Sequence, residues 1–207
     1  MTERIGLASL LTGKSSDTAM RALAQRVAAG EVFIYPTETV YGIGGRADSA
    51  AVEQRIRFVK DRRKSSPFIL LADAVECFQA LDLLFPPKAM LLARKFWPGK
   101  ITLVVPYANG GGDVGIRVSD HPFVTAFGKC LALPLFSTSA NVSDCPYVND
   151  PDAIFAAFSG KVDFMIDAGM LPESLPSTVV RVDNNDSVSI LRDGKVPAEF
   201  IMKALTE

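Results

Sequence analysis

Apolar residues recur along the chain first at helical and then at strand spacing, and the switches between the two mark its elements. Met20, Leu23, Ala24 and Val27 fall on one face of a helix that Ser16 and Asp17 can cap and that Gly30 can end. Val32-Phe33-Ile34-Tyr35 is β-branched and aromatic and stops at Pro36, which predicts a buried strand running into a loop. The same spacing predicts a helix from about Ser49 to Val59, a short strand over Phe68-Ile69-Leu70-Leu71, and a helix opened by Pro87 and running through Phe96. Ile101 to Val105 and Val114 to Val118 read as strands parted by Gly110-Gly111-Gly112, a flexible turn. His121-Pro122 starts a helix to Leu131, and apolar Leu133-Pro134-Leu135-Phe136 leads into polar Ser137-Thr138-Ser139-Ala140-Asn141. Two late strands, Thr178 to Val182 and Val188 to Leu191, precede a last helix from about Pro197.

Strands and helices are interspersed, without repeat, low-complexity tract or linker, so the expectation is one α/β domain with a mixed sheet and flanking helices over residues 1–207. A hydrophobic content of 48% over 207 residues suffices for a substantial core. Twenty-two basic and 23 acidic residues leave a net charge of -1, so no global basic field holds nucleic acid and any RNA contact must come from a local patch. Cys77, Cys130 and Cys145 are odd in number and widely spaced, which argues against a disulfide framework or a Cys-x-x-Cys metal knuckle and for a reducing cytoplasm. Glu3 and the shortness of the apolar run Ile5 to Leu11 argue against a signal peptide, and no apolar stretch reaches the roughly 18 residues of a membrane span. With His121 as the one histidine, there is no basis for a histidine-rich metal site.

Two nucleotide-binding fingerprints fail on inspection. Thr12-Gly13-Lys14-Ser15 resembles the end of a P-loop, but Ala8 stands where its first glycine is needed. Gly42-Ile43-Gly44-Gly45-Arg46-Ala47 matches a dinucleotide fingerprint ending in alanine, yet a polar stretch separates it from its strand, and a structural turn is the expectation.

A set of blocks in one order is more specific. Tyr35-Pro36-Thr37-Glu38-Thr39-Val40-Tyr41-Gly42-Ile43-Gly44, Lys60-Asp61-Arg62 with Pro67, Phe96-Trp97-Pro98-Gly99, Ile116-Arg117-Val118 with His121-Pro122, Ser137-Thr138-Ser139-Ala140-Asn141, Pro176-Ser177-Thr178-Val179-Val180 and Ile190-Leu191-Arg192-Asp193-Gly194 together resemble the threonylcarbamoyl-adenylate synthase family, or YrdC-like domain. The family-like core covers about residues 16–195. The resemblance implies a twisted mixed sheet with a large concave, positively charged surface. It implies a nucleotidyltransferase that joins L-threonine, bicarbonate and ATP into threonylcarbamoyl-adenylate and releases pyrophosphate. A separate transferase machinery then moves the threonylcarbamoyl group to an adenosine beside the tRNA anticodon, and tRNA itself is a possible partner. With its end at Glu207 the chain resembles the short form, without the additional C-terminal domain of longer members.

That reaction gathers negative charge on a carbamate and on phosphates, so cations and aligned donors serve it better than a protein nucleophile. Lys60 and Arg62 are the expected catalytic pair, meeting phosphate or bicarbonate; a solvated charged face is the other explanation, since Arg63 and Lys64 extend the run. Arg117 sits in an apolar strand, where a charge needs a partner: its guanidinium suits the threonine carboxylate, or an internal salt bridge. The resemblance also puts Thr37, Ser137 and Ser177 on threonine, and Lys60, Ser139, Asn141 and Arg192 on ATP. Turn formation for Thr37, caps or Asx turns for Ser137, Ser139 and Asn141, and plain strand ends for Ser177 and Arg192 explain the same residues without a ligand. Tyr147 is a further nucleotide-side position. Magnesium is expected to accompany ATP on its phosphates, with no protein metal site. Arg63 stands where the family usually has proline, and Ser143-Asp144 where it has Ser-Gly. The alternatives are a non-catalytic RNA-binding or ribosome-assembly module using the Lys60 to Lys64 patch, and a relative acting on another carbamoyl group.

Overall fold

The β-branched and aromatic runs of the chain pair into one mixed sheet. The computed structural model describes residues 1–12, 16–61, 68–143 and 145–206. Its strands are β1 (Glu3–Gly6), β2 (Phe33–Tyr35), β3 (Gly42–Arg46), β4 (Ile69–Ala72), β5 (Ile101–Pro106), β6 (Asp113–Val118), β7 (Leu135–Ser139), β8 (Phe164–Asp167), β9 (Thr178–Val182) and β10 (Val188–Arg192). The helices are α1 (Leu7–Leu11), α2 (Ser16–Ala28), α3 (Ala50–Val59), α4 (Pro87–Phe96), α5 (Pro122–Leu131), α6 (Pro151–Phe158) and α7 (Ala198–Ala204), with a 3-10 helix at Val75–Leu81. The strand order is β1-β8-β2-β3-β7-β4-β6-β5-β9-β10. Neighbours are parallel at β1/β8, β8/β2, β4/β6 and β5/β9, and antiparallel elsewhere. No helix of the described residues is long and apolar enough to cross a membrane.

Side chains alternate across a strand, so each strand feeds two layers. On the front, Phe33, Tyr35, Leu71, Leu135, Phe164 and Ile166 pack beneath Met20, Leu23 and Val27 of α2 and Phe123 and Phe127 of α5. On the back, Ile34, Ile43 and Met165 meet α3 and α6. Leu70, Leu103, Ile116 and Val180 meet α4 and α7 further along the same face. The remaining front positions follow from register: Ser137 opposite Ile69, Arg117 opposite Leu71, and Thr102 opposite Val179. They face a cleft.

The long elements form where their periodicity predicts them, within a residue or two, and Ser49 caps α3 by accepting the Val52 amide. Gly110 and Gly112 take positive φ in the turn between β5 and β6. Six elements were not expected, α1 and the 3-10 helix at Val75–Leu81 among them. The glycine run at 42–46 is strand β3, not a turn. An added Cβ at Gly44 would lie 2.1 Å from the Phe136 carbonyl oxygen, and one at Gly45 2.6 Å from a Val52 methyl, so close packing explains these glycines. Strand β8 is buried on both faces and shows no alternation. Strand β1 is a short, largely exposed edge strand whose Arg4 pairs with Asp152 and Asp167. Helix α6 carries a readable signal in Asp150-Pro151: the Asp150 carboxylate accepts the Asp152 and Ala153 amides and Pro151 opens the first turn.

Gly44→Ala is expected to destabilise the fold by about 1–3 kcal/mol or more through overpacking. Gly6→Ala, with nothing within 4 Å of the added carbon, should stay within about 0.5 kcal/mol of the parent. Urea unfolding of both variants checks this; equal stabilities would contradict the close-approach explanation.

Candidate active-site cleft

The chain leaves β2 at Pro36 and turns before re-entering the sheet as β3, and Thr37 builds that turn. Its hydroxyl accepts the amides of Thr39 and Val40, both at 3.2 Å, and donates to the Val40 carbonyl at 2.7 Å. Turn formation and a place in the cleft wall are therefore both true of Thr37. The turn also carries Glu38 and Thr39 to the end of β6. There Arg117, 3% exposed, sets its Nη1 3.1 Å from Glu38 Oε1 and 3.3 Å from the Thr39 hydroxyl. Ser119 donates to the other Glu38 oxygen at 2.5 Å. The internal salt bridge allowed for Arg117 is real, yet its Nε is buried without a partner and the residue lines the cleft.

The opposite wall comes from α3 and β7. Lys60 ends α3 as its C-cap and is 3% exposed. Its ammonium donates to Thr138 Oγ1 at 3.1 Å, the Ser139 carbonyl at 2.5 Å and Asn141 Oδ1 at 3.4 Å. Asn141 is oriented in turn, accepting from Ser139 Oγ at 2.5 Å and donating to the Cys145 carbonyl at 2.7 Å. Burial removes Lys60 from any surface RNA patch. Arg62, with Arg63 and Lys64, lies outside the described residues, as do Gly13 to Ser15 and Asp144.

Ser177 and Arg192 close the third side. Ser177 Oγ is 2.8 Å from Thr102 Oγ1, and Arg192 donates to the Ser177 carbonyl at 2.8 Å. Burial, and then the nearby Arg117 charge, lower the Arg192 pKa. Among the described residues no carboxylate pairs with Arg192. Thr37, Lys60, Arg117, Ser137, Ser139, Asn141, Ser177 and Arg192 all line this one cleft of about 860 Å³. That volume suits a nucleotide-sized ligand. Among the described residues Asp61 is the one acid of the lining and Glu38 stands behind Arg117, so three cations converge there with two carboxylates. Their summed field favours an anion.

The sequence reasoning missed Thr39, Asp61 and the buried Glu38. Each lies inside a quoted motif beside a chosen residue, and an acid next to a buried strand's end was the available signal for Glu38. Tyr147 lines the cleft, and its hydroxyl accepts the Tyr41 amide at 3.0 Å. His121 lies outside the lining; its Nδ1 caps α5 by accepting the Phe123 amide at 3.2 Å. A second, apolar depression of about 730 Å³ on the back of the sheet holds none of the expected site residues.

Residues 25–194 match the Sua5/YciO/YrdC family model, whose description reads "Telomere recombination". The chain is 32% identical over 196 residues to the threonylcarbamoyl-AMP synthase of Pyrococcus abyssi, covering 91% of this chain and 57% of that protein. It is 29% identical over 196 residues to the Bacillus subtilis protein of the same name, covering 90% and 56%. The chain thus spans little more than half the length of these relatives. Among solved structures, P. abyssi Sua5 complexed with L-threonine superposes with a TM-score of 0.85 at 28% identity, covering 99% of this chain and 61% of that one. Escherichia coli YciO shares the fold, with a TM-score of 0.80 at 20% identity over 96% and 98% of the two chains.

His121 yields a pH prediction. Burial holds its pKa below the ordinary 6.5, so an unfolding chain takes up a proton that the folded protein resists. The unfolded state then binds more protons between the lowered folded value and 6.5, and stability falls as pH drops through that window. His121→Asn retains a cap acceptor without the titration. Urea midpoints at about pH 7.5 and about pH 5.5 should differ less in the variant than in the parent. An equal difference in both would contradict this.

Proposed function

The chain belongs to the Sua5/YciO/YrdC family, and from that premise we propose that its cleft makes threonylcarbamoyl-adenylate from L-threonine, bicarbonate and ATP, releasing pyrophosphate. The observation that carries this reading is the convergence of Lys60, Arg117 and Arg192 on one polar cleft with a ring of hydroxyls between them. A reaction that brings a carboxylate, bicarbonate and a triphosphate together needs that charge balance.

Arg117 takes the threonine carboxylate, because a guanidinium offers a planar pair of donors. Thr37, Ser137 and Ser177 surround the rest of the amino acid. The threonine amine, once it has lost its proton, attacks the bicarbonate carbon, and loss of water leaves a carbamate. A carbamate oxygen then attacks the α-phosphorus of ATP, the bond to the bridging oxygen breaks, and pyrophosphate leaves. Lys60 and Arg192 stand on the phosphate side with Ser139 and Asn141, where fixed cations offset the charge that grows on the pentavalent phosphorus and the leaving group. Arg62 is the second catalytic cation of this reading. Magnesium enters on the ATP phosphates, which needs no cage of protein carboxylates. A separate transferase system passes the threonylcarbamoyl group to tRNA beside the anticodon, in a reducing cytoplasm where Cys77, Cys130 and Cys145 stay free thiols.

The purified protein is expected to release pyrophosphate only when ATP, bicarbonate and L-threonine are all present, with the adenylate detected by mass. Serine should turn over with a specificity constant about 5- to 150-fold lower, since a pocket fitted to the extra methyl loses about 1–3 kcal/mol without it. Equal pyrophosphate release with threonine omitted would sink the assignment.

A further inference from the structure

Arg117 is held in a specific way. Both of its contacts, Glu38 Oε1 at 3.1 Å and the Thr39 hydroxyl at 3.3 Å, fall on Nη1. Its Nε is buried and has no partner. Glu38 does not line the cleft, and its side chain is only 8% exposed. It is itself fixed from behind: Ser119 donates to its second oxygen at 2.5 Å, and Ser119 Oγ accepts the His121 amide at 3.2 Å. The Ser119 amide is tied to the Ala72 carbonyl at 3.0 Å, which anchors this chain of contacts to β4. Arg192, on the third side of the cleft, is near enough for the Arg117 charge to help burial depress its pKa.

We infer that Glu38 is a positioning residue for the amino-acid substrate: it secures Arg117 by one nitrogen, so that the remaining donor edge is kept for the substrate carboxylate, and Ser119 locks Glu38 in place. Removing the Glu38 charge leaves the guanidinium free to rotate toward the phosphate side, where it can still attract anions but no longer meets the carboxylate with paired donors. The effect runs through Arg117, because Glu38 lies behind it, outside the cleft lining. This inference rests on the threonine reading of the cleft.

Calorimetric titration of L-threonine and, separately, of ATP into the parent, Glu38→Gln, Arg117→Lys and the double variant tests it, with a thermal melt to show that each is folded. Glu38→Gln should weaken threonine binding about tenfold or more, the scale of a buried ion pair that loses one of its charges, while ATP affinity changes less than about threefold. The double variant should bind threonine no more weakly than Arg117→Lys alone, since a residue acting through another adds nothing once that residue is changed. Unchanged threonine affinity in folded Glu38→Gln, or losses that multiply in the double variant, would overturn the inference while leaving the threonine reading intact. Absence of threonine binding by the parent would take down both. If Glu38→Gln does not fold, Ser119→Ala decides: about threefold weaker threonine binding supports the lock, and an unchanged affinity overturns it.

Discussion

Helices α2 and α5 cover the front of the sheet only over β8, β2 and the near ends of β7 and β4, and everything at the cleft follows from where that cover stops. Under the helices the front positions are Phe33, Tyr35, Leu135 and Phe164; further along β7 they become Ser137 and Ser139, and β6, beyond the helices, carries Arg117. A polar side chain in such a place must find hydrogen bonds or lose stability, and a charge must find more than that. The protein meets the requirement locally. Glu38 answers Arg117, the carbonyl and hydroxyl oxygens of β7 answer Lys60, and the Ser177 carbonyl answers Arg192. The same groups that make the uncovered face tolerable also hold three cations in fixed positions.

Fixed positions matter more here than any one reactive group. In the proposed reaction a triphosphate and an amino acid are aligned so that a carbamate oxygen meets the α-phosphorus, and cations already in place need no reorganisation as charge shifts. Lys60 shows how this is arranged. Its stem ends α3, and Thr138, Ser139 and Asn141 converge on its ammonium from the end of β7 and the turn after it, 78 to 81 residues later. The close approach of β3 to β7 at Gly44 brings Thr37 and Thr39 across to the same mouth.

Much of this was legible in the sequence, and the residues show why the rest was not. Helices α2, α3 and α5 announced themselves by their apolar period, and β6 by a run interrupted only by Arg117, whose charge marked it as needing a partner. The glycines of β3 look like turn residues because sequence shows their missing side chains but not the Phe136 carbonyl and Val52 methyl that exclude a Cβ. Strand β8, enclosed on both faces, lacks the alternation that signals a strand, and β1 is an exposed edge. Eight of the residues that motif order singled out line the one cleft, and Arg62 lies outside the described residues. Motif order did not separate substrate contact from scaffold: Thr37, Ser139 and Asn141 are each both hydrogen-bonded framework and cleft wall. Glu38 escaped notice because its role exists only through the fold that brings it to Arg117.

The central claim is that one cleft on the uncovered half of the sheet takes threonine at its Arg117 end and the ATP phosphates between Lys60 and Arg192. A crystal structure with L-threonine and a non-hydrolysable ATP analogue tests it most directly. The account predicts the threonine carboxylate within hydrogen-bonding distance of the Arg117 guanidinium, and the analogue's phosphates against the Lys60 ammonium and Arg192. Threonine bound away from Arg117, or the nucleotide seated in the apolar depression on the back of the sheet, would contradict it.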